Sequence, residues 1–257
     1  MTSRSRSPNL GKTSLSGDLP ATSSVSRYKR TIIKLSGELL GSNGVFDAQS
    51  IRSIAEQLID CQGRGYEVGV VLGAGNICRG NELVSLGIDQ VDADQMGMLA
   101  TSINGIALAS MIRKLGGRSQ IIGSYQIPGV VLGFKRDEAI DALEGGQIII
   151  FTGGTGNPLF TTDTAAVIRA VELGADVVLK GTKVDGVYSD DPMKNPDAHL
   201  YDRISFKEAV NQRLKVMDIT ALAILEQARI PLVVFNGYKK VIKQILSGEK
   251  IGTLVYP

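Results

Sequence analysis

Residues 147–163, Gln-Ile-Ile-Ile-Phe-Thr-Gly-Gly-Thr-Gly-Asn-Pro-Leu-Phe-Thr-Thr-Asp, constrain the fold more than any other stretch. Gln147 to Phe151 is an apolar, β-branched run of the kind found in parallel strands covered on both faces. Beyond it, Ala165, Ala166, Ile168, Val171 and Leu173 recur at helical spacing. Three glycines and a proline therefore fall at a strand-to-helix junction, the place where open α/β sheets bind ligands. Thr161 or Thr162 can cap the helix, whose first-turn N–H groups would then face the crevice. Taken alone, such a loop is as readily an ordinary turn as a binding loop, so the remaining junctions decide.

Tyr28 to Gly37 reads as a strand ending in Lys34-Leu35-Ser36-Gly37, a small-residue turn able to seat phosphate through its N–H groups. It lacks the GxxxxGK[ST] spacing of a Walker A loop. Ala48 to Gln62 has the stripe Ile51, Ile54, Ala55, Leu58, Ile59 of an amphipathic helix, stopped by Gly63 and Gly65. Tyr66 to Leu72 is the next strand, and it opens into Gly73-Ala-Gly-Asn-Ile-Cys-Arg-Gly80, a second Gly-rich turn on the same sheet edge. Arg79 there can offer a bidentate fork to a phosphate, which a lysine cannot.

Asp92 to Leu115 predicts a long helix with Met96, Leu99, Ile103, Ile106, Ala107, Ser110 and Met111 as its buried stripe. Asp94 would sit in its first turn, where a carboxylate is favoured electrostatically. Strands are expected at Arg118–Ser124 and Ala175–Lys180, with a helix at about Arg136–Leu143. Val184-Asp185-Gly186-Val187 predicts a β-hairpin turn, with Asp191-Pro192 at its exit. Helices at Ser205–Arg213, Asp218–Ala228 and Lys239–Leu246 and strands at Pro231–Phe235 and Gly252–Tyr256 complete the chain. Alternating strands and helices imply a three-layer α/β/α sandwich around a mostly parallel sheet.

Composition narrows the chemistry. Basic and acidic residues nearly balance, 28 against 26, which gives no nucleic-acid footprint. Cys61 and Cys78 have neither disulfide-framework nor metal-ligand spacing, in keeping with a reducing cytoplasm. No uninterrupted apolar run approaches the roughly 20 residues of a membrane span. His199 is the sole histidine and there is no tryptophan, so catalysis must rest on Lys, Arg, Asp and backbone donors. Residues 1–27, Ser-rich with Arg4, Arg6, Lys12 and Arg27 against Asp18 alone, read as a disordered basic tail without a secretory h-region.

From Tyr28 onward the chain resembles the bacterial uridylate (UMP) kinases of the amino acid kinase family. The motifs that carry this are Lys34 to Gly37, Gly73 to Gly80, Asp94-Gln-Met-Gly-Met-Leu-Ala100 and Thr155 to Asp163, in that order. The Gly181–Pro192 segment and Lys215-Val-Met-Asp218 add two more. The chain departs from the family pattern at Ala74 and Ala93, where glycines are usual, and most strongly at Pro128 to Lys135.

The resemblance implies one domain over 28–257, with an acceptor-binding part at about 28–163 and an ATP-binding part at about 164–257. It implies transfer of the γ-phosphoryl group of ATP to UMP in pyrimidine nucleotide biosynthesis, with Mg²⁺ held mainly by ATP oxygens and no protein metal ligands. Lys34, Asp163 and Lys180 are the implied catalytic residues. ATP would lie on Lys34, Leu35, Ser36, Gly37, Gly75 and Arg79, with Thr182, Tyr188 and Asp191 at its adenine and ribose. UMP would be held by Ala74, Arg79, Asp94 and the run Thr155, Gly156, Asn157, Pro158, Leu159, Phe160, Thr161 and Thr162. A cytoplasmic homohexamer, activated by GTP and inhibited by UTP, is also implied. Two other readings remain: a kinase of the same superfamily acting on a carboxylate or carbamate, and a nucleotide-binding or oxyanion-storage protein without catalysis. Asp94 and Thr155 to Thr162 argue against the first, and Lys34, Lys180 and Asp163 together argue against the second.

Overall fold

The structure, a computed structural model, describes residues 28–41 and 44–257; the expected tail at 1–27 lies outside them. In chain order the elements are β1 (Arg30–Leu35), a 3-10 turn (Gly37–Leu40), α1 (Ala48–Gly63), β2 (Glu67–Leu72), α2 (Gly80–Ser85) and α3 (Gln90–Lys114). Then follow β3 (Ser119–Gly123), β4 (Leu132–Gly133), α4 (Arg136–Glu144), β5 (Ile148–Thr152), α5 (Thr162–Leu173) and β6 (Val177–Thr182). The chain closes with β7 (Arg203–Ser205), α6 (Phe206–Asn211), α7 (Ile219–Ala228), β8 (Leu232–Asn236), α8 (Ile242–Ser247) and β9 (Thr253–Tyr256).

All nine strands form one sheet in the order β4-β3-β5-β2-β1-β6-β8-β9-β7. Each neighbouring pair is parallel except β8 with β9. Strands β2 to β5 lie on one side of β1, and β6 to β9 on the other. The order therefore reverses at β1/β6, and a crevice opens there beyond the carboxyl ends.

Strand alternation sorts the core into two layers. Ile32, Val71 and Val178 pack with α4, α5, α6 and α7 on one face. Ile33, Val70 and Leu179 pack with α1, α3 and α8 on the other. Lys34 and Lys180 are register partners on β1 and β6. By the same alternation they share the face of Ile32 and Val178, beneath the start of α5.

Three expectations change. First, α3 begins at Gln90, with Asp89 accepting from the Val91 N–H at 2.9 Å, so Asp94 lies in the second turn and does not cap. Second, the stripe expected to be buried on α3 faces outward: Met96, Leu99, Ile103 and Ile106 are exposed. The inner face is instead Ala93, Met98, Ala100, Thr101, Asn104, Gly105, Leu108, Ala109 and Ile112, in which small residues alternate with a few large ones and let the helix lie close on the sheet. Third, Val184 to Val187 is not a hairpin. Asp185 is drawn to Asn236 (3.0 Å) and Lys239 (2.7 Å), while Val187–Ser189 bonds to His199–Tyr201 across a longer loop. Strands β4 and β7, of two and three residues, were not expected from the sequence.

The turns after β1 and β2 touch each other. A Cβ placed on Gly37 would come within 2.7 Å of Gly73 O and 2.9 Å of the Gly75 nitrogen. Neither partner is a flexible side-chain tip, so the backbones must separate to admit a methyl. Gly37→Ala is expected to destabilise the fold by about 1–3 kcal/mol, the usual range for overpacking, measured by urea unfolding. An unchanged midpoint would mean that the two turns can part freely.

Candidate active site

The centre of the crevice is a buried carboxylate between two lysines. Lys34 Nζ lies 2.8 Å from Asp163 Oδ1, and Lys180 Nζ lies 2.6 Å from Oδ2. All three side chains are nearly buried, at 12%, 11% and 14% exposure for Lys34, Asp163 and Lys180. The Lys180 contact is a hydrogen bond, and the same ammonium also donates to Val216 O at 2.6 Å. The Lys34 contact is an ion pair without hydrogen-bond geometry, since Oδ1 has no hydrogen-bonding partner. Burial pushes the Asp163 carboxyl up, but the attraction of Lys34 and Lys180 outweighs it and holds the group below its ordinary value. Burial lowers Lys180 more than Asp163 raises it, with Lys34 adding repulsion.

Asp163 is placed by the start of α5. Thr161 caps this helix, accepting from the Asp163 and Thr164 N–H groups at 3.0 and 3.4 Å. Asp218 secures the cap. Its carboxylate accepts from Thr161 Oγ1 at 2.6 Å and from Thr164 Oγ1 at 2.9 Å, and it caps α7 through the Ala221 N–H at 2.8 Å. The sequence singled out Asp218 only as part of a segment; its position immediately before a helical run was the signal of a cap.

Beside the turn after β2, Ala74, Gly75, Asp94, Asn157, Phe160 and Thr162 line a cavity of about 140 Å³. Ala74 is absent from the residues with positive φ, so its methyl is accommodated without strain. Asp94 accepts from Gln90 Nε2 at 2.9 Å and from the Leu159 N–H at 2.8 Å. A carboxylate has about four acceptor sites, so capacity remains for a ligand. Asn76 and Asn104 exchange amide hydrogen bonds at 2.8 and 3.0 Å, and Asn104 also donates to Gly73 O, tying the loop after β2 to α3. Cys78 also lines this cavity, and burial raises its thiol pKa, so it is no reactive thiolate.

Beyond β6, Tyr188 and Asp191 come together with Lys215 around a cavity of about 380 Å³. Thr182 does not line it. Its hydroxyl turns inward, donating to Val184 O at 2.8 Å, with Phe235 O a further neighbour at 3.3 Å.

Arg79 does not line the cavity beside Asp94. Its guanidinium is paired with Glu38, whose other oxygen lies 2.5 Å from Lys183 Nζ. Glu38 thus links the loop after β2 to the segment after β6, an arrangement no local sequence pattern announced. Among the described residues, no group of three or more His, Cys, Asp or Glu is placed to hold a metal ion.

The profile of the amino acid kinase family matches residues 29–236. A uridylate kinase of Legionella pneumophila (strain Lens) is 46% identical over 232 residues, 89% of this chain and 94% of that protein. One from Methylococcus capsulatus is 45% identical over 231 residues, 89% of this chain and 97% of its own length. Among solved structures, UMP kinase from Bacillus anthracis matches with a TM-score of 0.86 at 35% identity, covering 89% of this chain and 96% of that one. UMP kinase from Ureaplasma parvum matches with a TM-score of 0.84 at 39% identity, covering 89% and 99%.

Asp163→Ala would leave two neighbouring buried ammonium groups without their counter-ion, and is expected to destabilise the protein by about 3–5 kcal/mol. The pH dependence has a definite sign. Because the folded-state pKa of Asp163 lies below 3.8, its contribution is full above that value and is lost as pH falls through the folded pKa. Lys180 is lowered from 10.5, so it adds stability as pH rises from its folded value towards 10.5. Urea unfolding of wild type and Asp163→Ala between pH 2 and 7 checks the acid limb. The gap between the two should narrow below about pH 4.

Proposed function

Since the chain belongs to the amino acid kinase family, we propose that it transfers the γ-phosphoryl group of ATP to UMP, releasing UDP and ADP. The observation that carries this reading is the paired Lys34 and Lys180, set by Asp163 at the switch point between two cavities. Phosphoryl transfer between two anionic substrates needs in-line positioning and charge stabilisation more than acid–base chemistry. The attacking UMP phosphate oxygen is already ionised at neutral pH, so no general base is required. Lys34 and Lys180 would neutralise the group in transit, and the N–H groups of the turn at Ser36 and Gly37 would receive the ATP phosphates.

The acceptor phosphate would draw Arg79 away from Glu38, with Thr162 and the first turn of α5 as further donors. Asp94 would accept from the ribose, and the Thr155–Thr161 loop would enclose the uracil. Tyr188 and Asp191 would face adenine and ribose of ATP. Thr182, with its hydroxyl committed inward and its carbonyl accepting from the Gly237 N–H, would not contact ATP there. Asp163 is committed to two lysines, so Mg²⁺ fits best as a counter-ion carried on ATP oxygens, where it would neutralise phosphate charge. In this reading residues 28–163 form the acceptor half and 164–257 the donor half.

The outward stripe of Met96, Leu99, Ile103 and Ile106 supports association of subunits through α3 as one contact of a homohexamer. α3 is also long and apolar enough to cross a membrane by length and composition, with half of its most apolar window buried. That packing on the sheet favours a subunit contact and a cytoplasmic enzyme.

A coupled assay of ADP release with UMP, CMP, dUMP and AMP tests the assignment, and turnover that does not depend on UMP would defeat it. Lys34→Ala should reduce kcat by about 100-fold or more, as removal of one electrostatic stabiliser does, with a smaller change in KM for UMP. Near-normal kcat in the folded variant would exclude Lys34 from the chemistry. Arg79→Lys should fail to restore the UMP kinetics lost in Arg79→Ala, because an ammonium keeps the charge without the paired donors. Wild-type UMP kinetics in Arg79→Lys would remove the phosphate role.

A further inference from the structure

The loop after β5 is held partly by its own hydrogen bonds, Gly156 N–H to Gly153 O at 3.0 Å and Asn157 N–H to Thr155 Oγ1 at 3.1 Å, and partly by grips from outside it. Gly153, Gly154 and Gly156 have φ of 76°, 56° and 80°, and Leu159 has 69°. Backbone in this region forms no regular ladder, so its conformation depends on what grips its amides and carbonyls. On the substrate side the grip is Asp94 on the Leu159 N–H. From behind, Ser124 Oγ donates to Gly154 O at 2.9 Å and the Tyr125 hydroxyl donates to Gly156 O at 2.8 Å. Ser124 stands against the loop: a Cβ on Gly156 would lie 3.1 Å from its own Cβ.

A serine hydroxyl has one proton and rotates to suit its surroundings. Here Arg169 sets the direction. Its Nη2 lies 3.2 Å from Ser124 Oγ. A guanidinium only donates, so it takes a lone pair of Oγ and leaves the serine proton for Gly154 O. Arg169 is itself held. It is 8% exposed, its Cζ lies 3.7 Å over the Phe134 ring, and its Nη1 is 2.5 Å from Glu172 Oε2. It belongs to α5, the helix whose first turn carries Asp163.

Space behind the loop makes this support consequential. A cavity of about 500 Å³ lies there, lined by Phe134, Phe160, Arg169 and Glu172 among others. Asn157 and Phe160 line both this cavity and the acceptor cavity. A loop released by Ser124 therefore has room to retreat, and the acceptor wall retreats with it.

We propose that Ser124 and Arg169 are positioning residues for the acceptor nucleotide, a relay in which Arg169 orients the Ser124 proton and Ser124 holds Gly154. The proposal rests on the reading of Thr155–Thr162 as the UMP loop. Neither residue touches substrate in this scheme, so both act on acceptor binding through the loop and leave ATP binding and the chemical step alone.

Steady-state kinetics on the full chain, with Ser124→Ala and Arg169→Met beside wild type, test it. Ser124→Ala removes one hydroxyl and preserves packing, so it keeps the test valid if Arg169→Met fails to fold. KM for UMP should rise about tenfold in each variant, the size of one buried hydrogen bond. KM for ATP should stay unchanged and kcat should stay within about threefold. The double variant should be no worse than the poorer single, since both cut the same relay. A fall in melting temperature with KM for UMP unchanged would show the two residues to be structural only, and equal rises in both KM values would also overturn the proposal. A wild type without UMP-dependent ADP release would instead overturn the functional reading beneath it. The relay is then judged by amide hydrogen exchange in Ser124→Ala, where unchanged protection at 153–160 would refute it.

Discussion

Everything in the crevice depends on one buried charge arrangement, the Asp163 carboxylate between Lys34 and Lys180. Parallel pairing of β1 with β6 places the two lysines opposite each other in register. Strand alternation then turns both to the same face, where burial strips their hydration and each repels the other. An isolated buried charge is untenable, and a pair of like charges more so. The carboxylate is therefore a condition of this register as much as a feature of the site. It also sits in the first turn of α5, where the helix dipole favours an anion, so the helix contributes to the same balance.

The placement of Asp163 is in turn borrowed from distant chain. Thr161 caps α5, and Asp218 accepts from Thr161 and Thr164 while capping α7. Lys180 reaches Val216 O in the same connection. Two helix starts and the strand pair are thereby fastened at one point, each satisfying donors that the others would otherwise leave orphaned. This gives a physical reason for the crevice to keep its geometry while its rim is made of turns.

The sheet, its parallel sense and the strand-end turns were legible because apolar β-branched runs end in glycine clusters at each junction. Lys34, Asp163 and Lys180 were named through the resemblance to the family, whose motifs fall beside such junctions. What escaped was set by partners far along the chain. Glu38 meets Arg79 and Lys183, and Arg169 meets Ser124, contacts without any local period. On α3 the buried face carries Ala100, Gly105, Leu108 and Ile112, and leaves Leu99 and Ile103 outside, a division that apolar spacing alone does not resolve. Val184-Asp185-Gly186-Val187 has the local chemistry of a hairpin, yet Asn236 and Lys239 capture Asp185 and the pairing moves downstream. Strands of two and three residues carry no periodicity to detect.

The ion pairs of the crevice fall into two classes by burial. At the centre, removing one partner leaves an uncompensated buried charge, so the arrangement is expensive to disturb. At the rim, Arg79 and Lys183 are 51% and 59% exposed where they meet Glu38. Pairs in that setting contribute little to stability and exchange partners readily. Under the proposed function, Glu38 would act as an internal anion that holds two cations, Arg79 and Lys183, at the rim. A substrate phosphate, with more charge and three acceptor oxygens, would then compete for both. Keeping the centre dry and fixed while the rim trades one anion for another reconciles two demands on such a site. The groups that meet transferring charge must be preorganised, and those that admit and release substrate must not be held so tightly that release becomes slow.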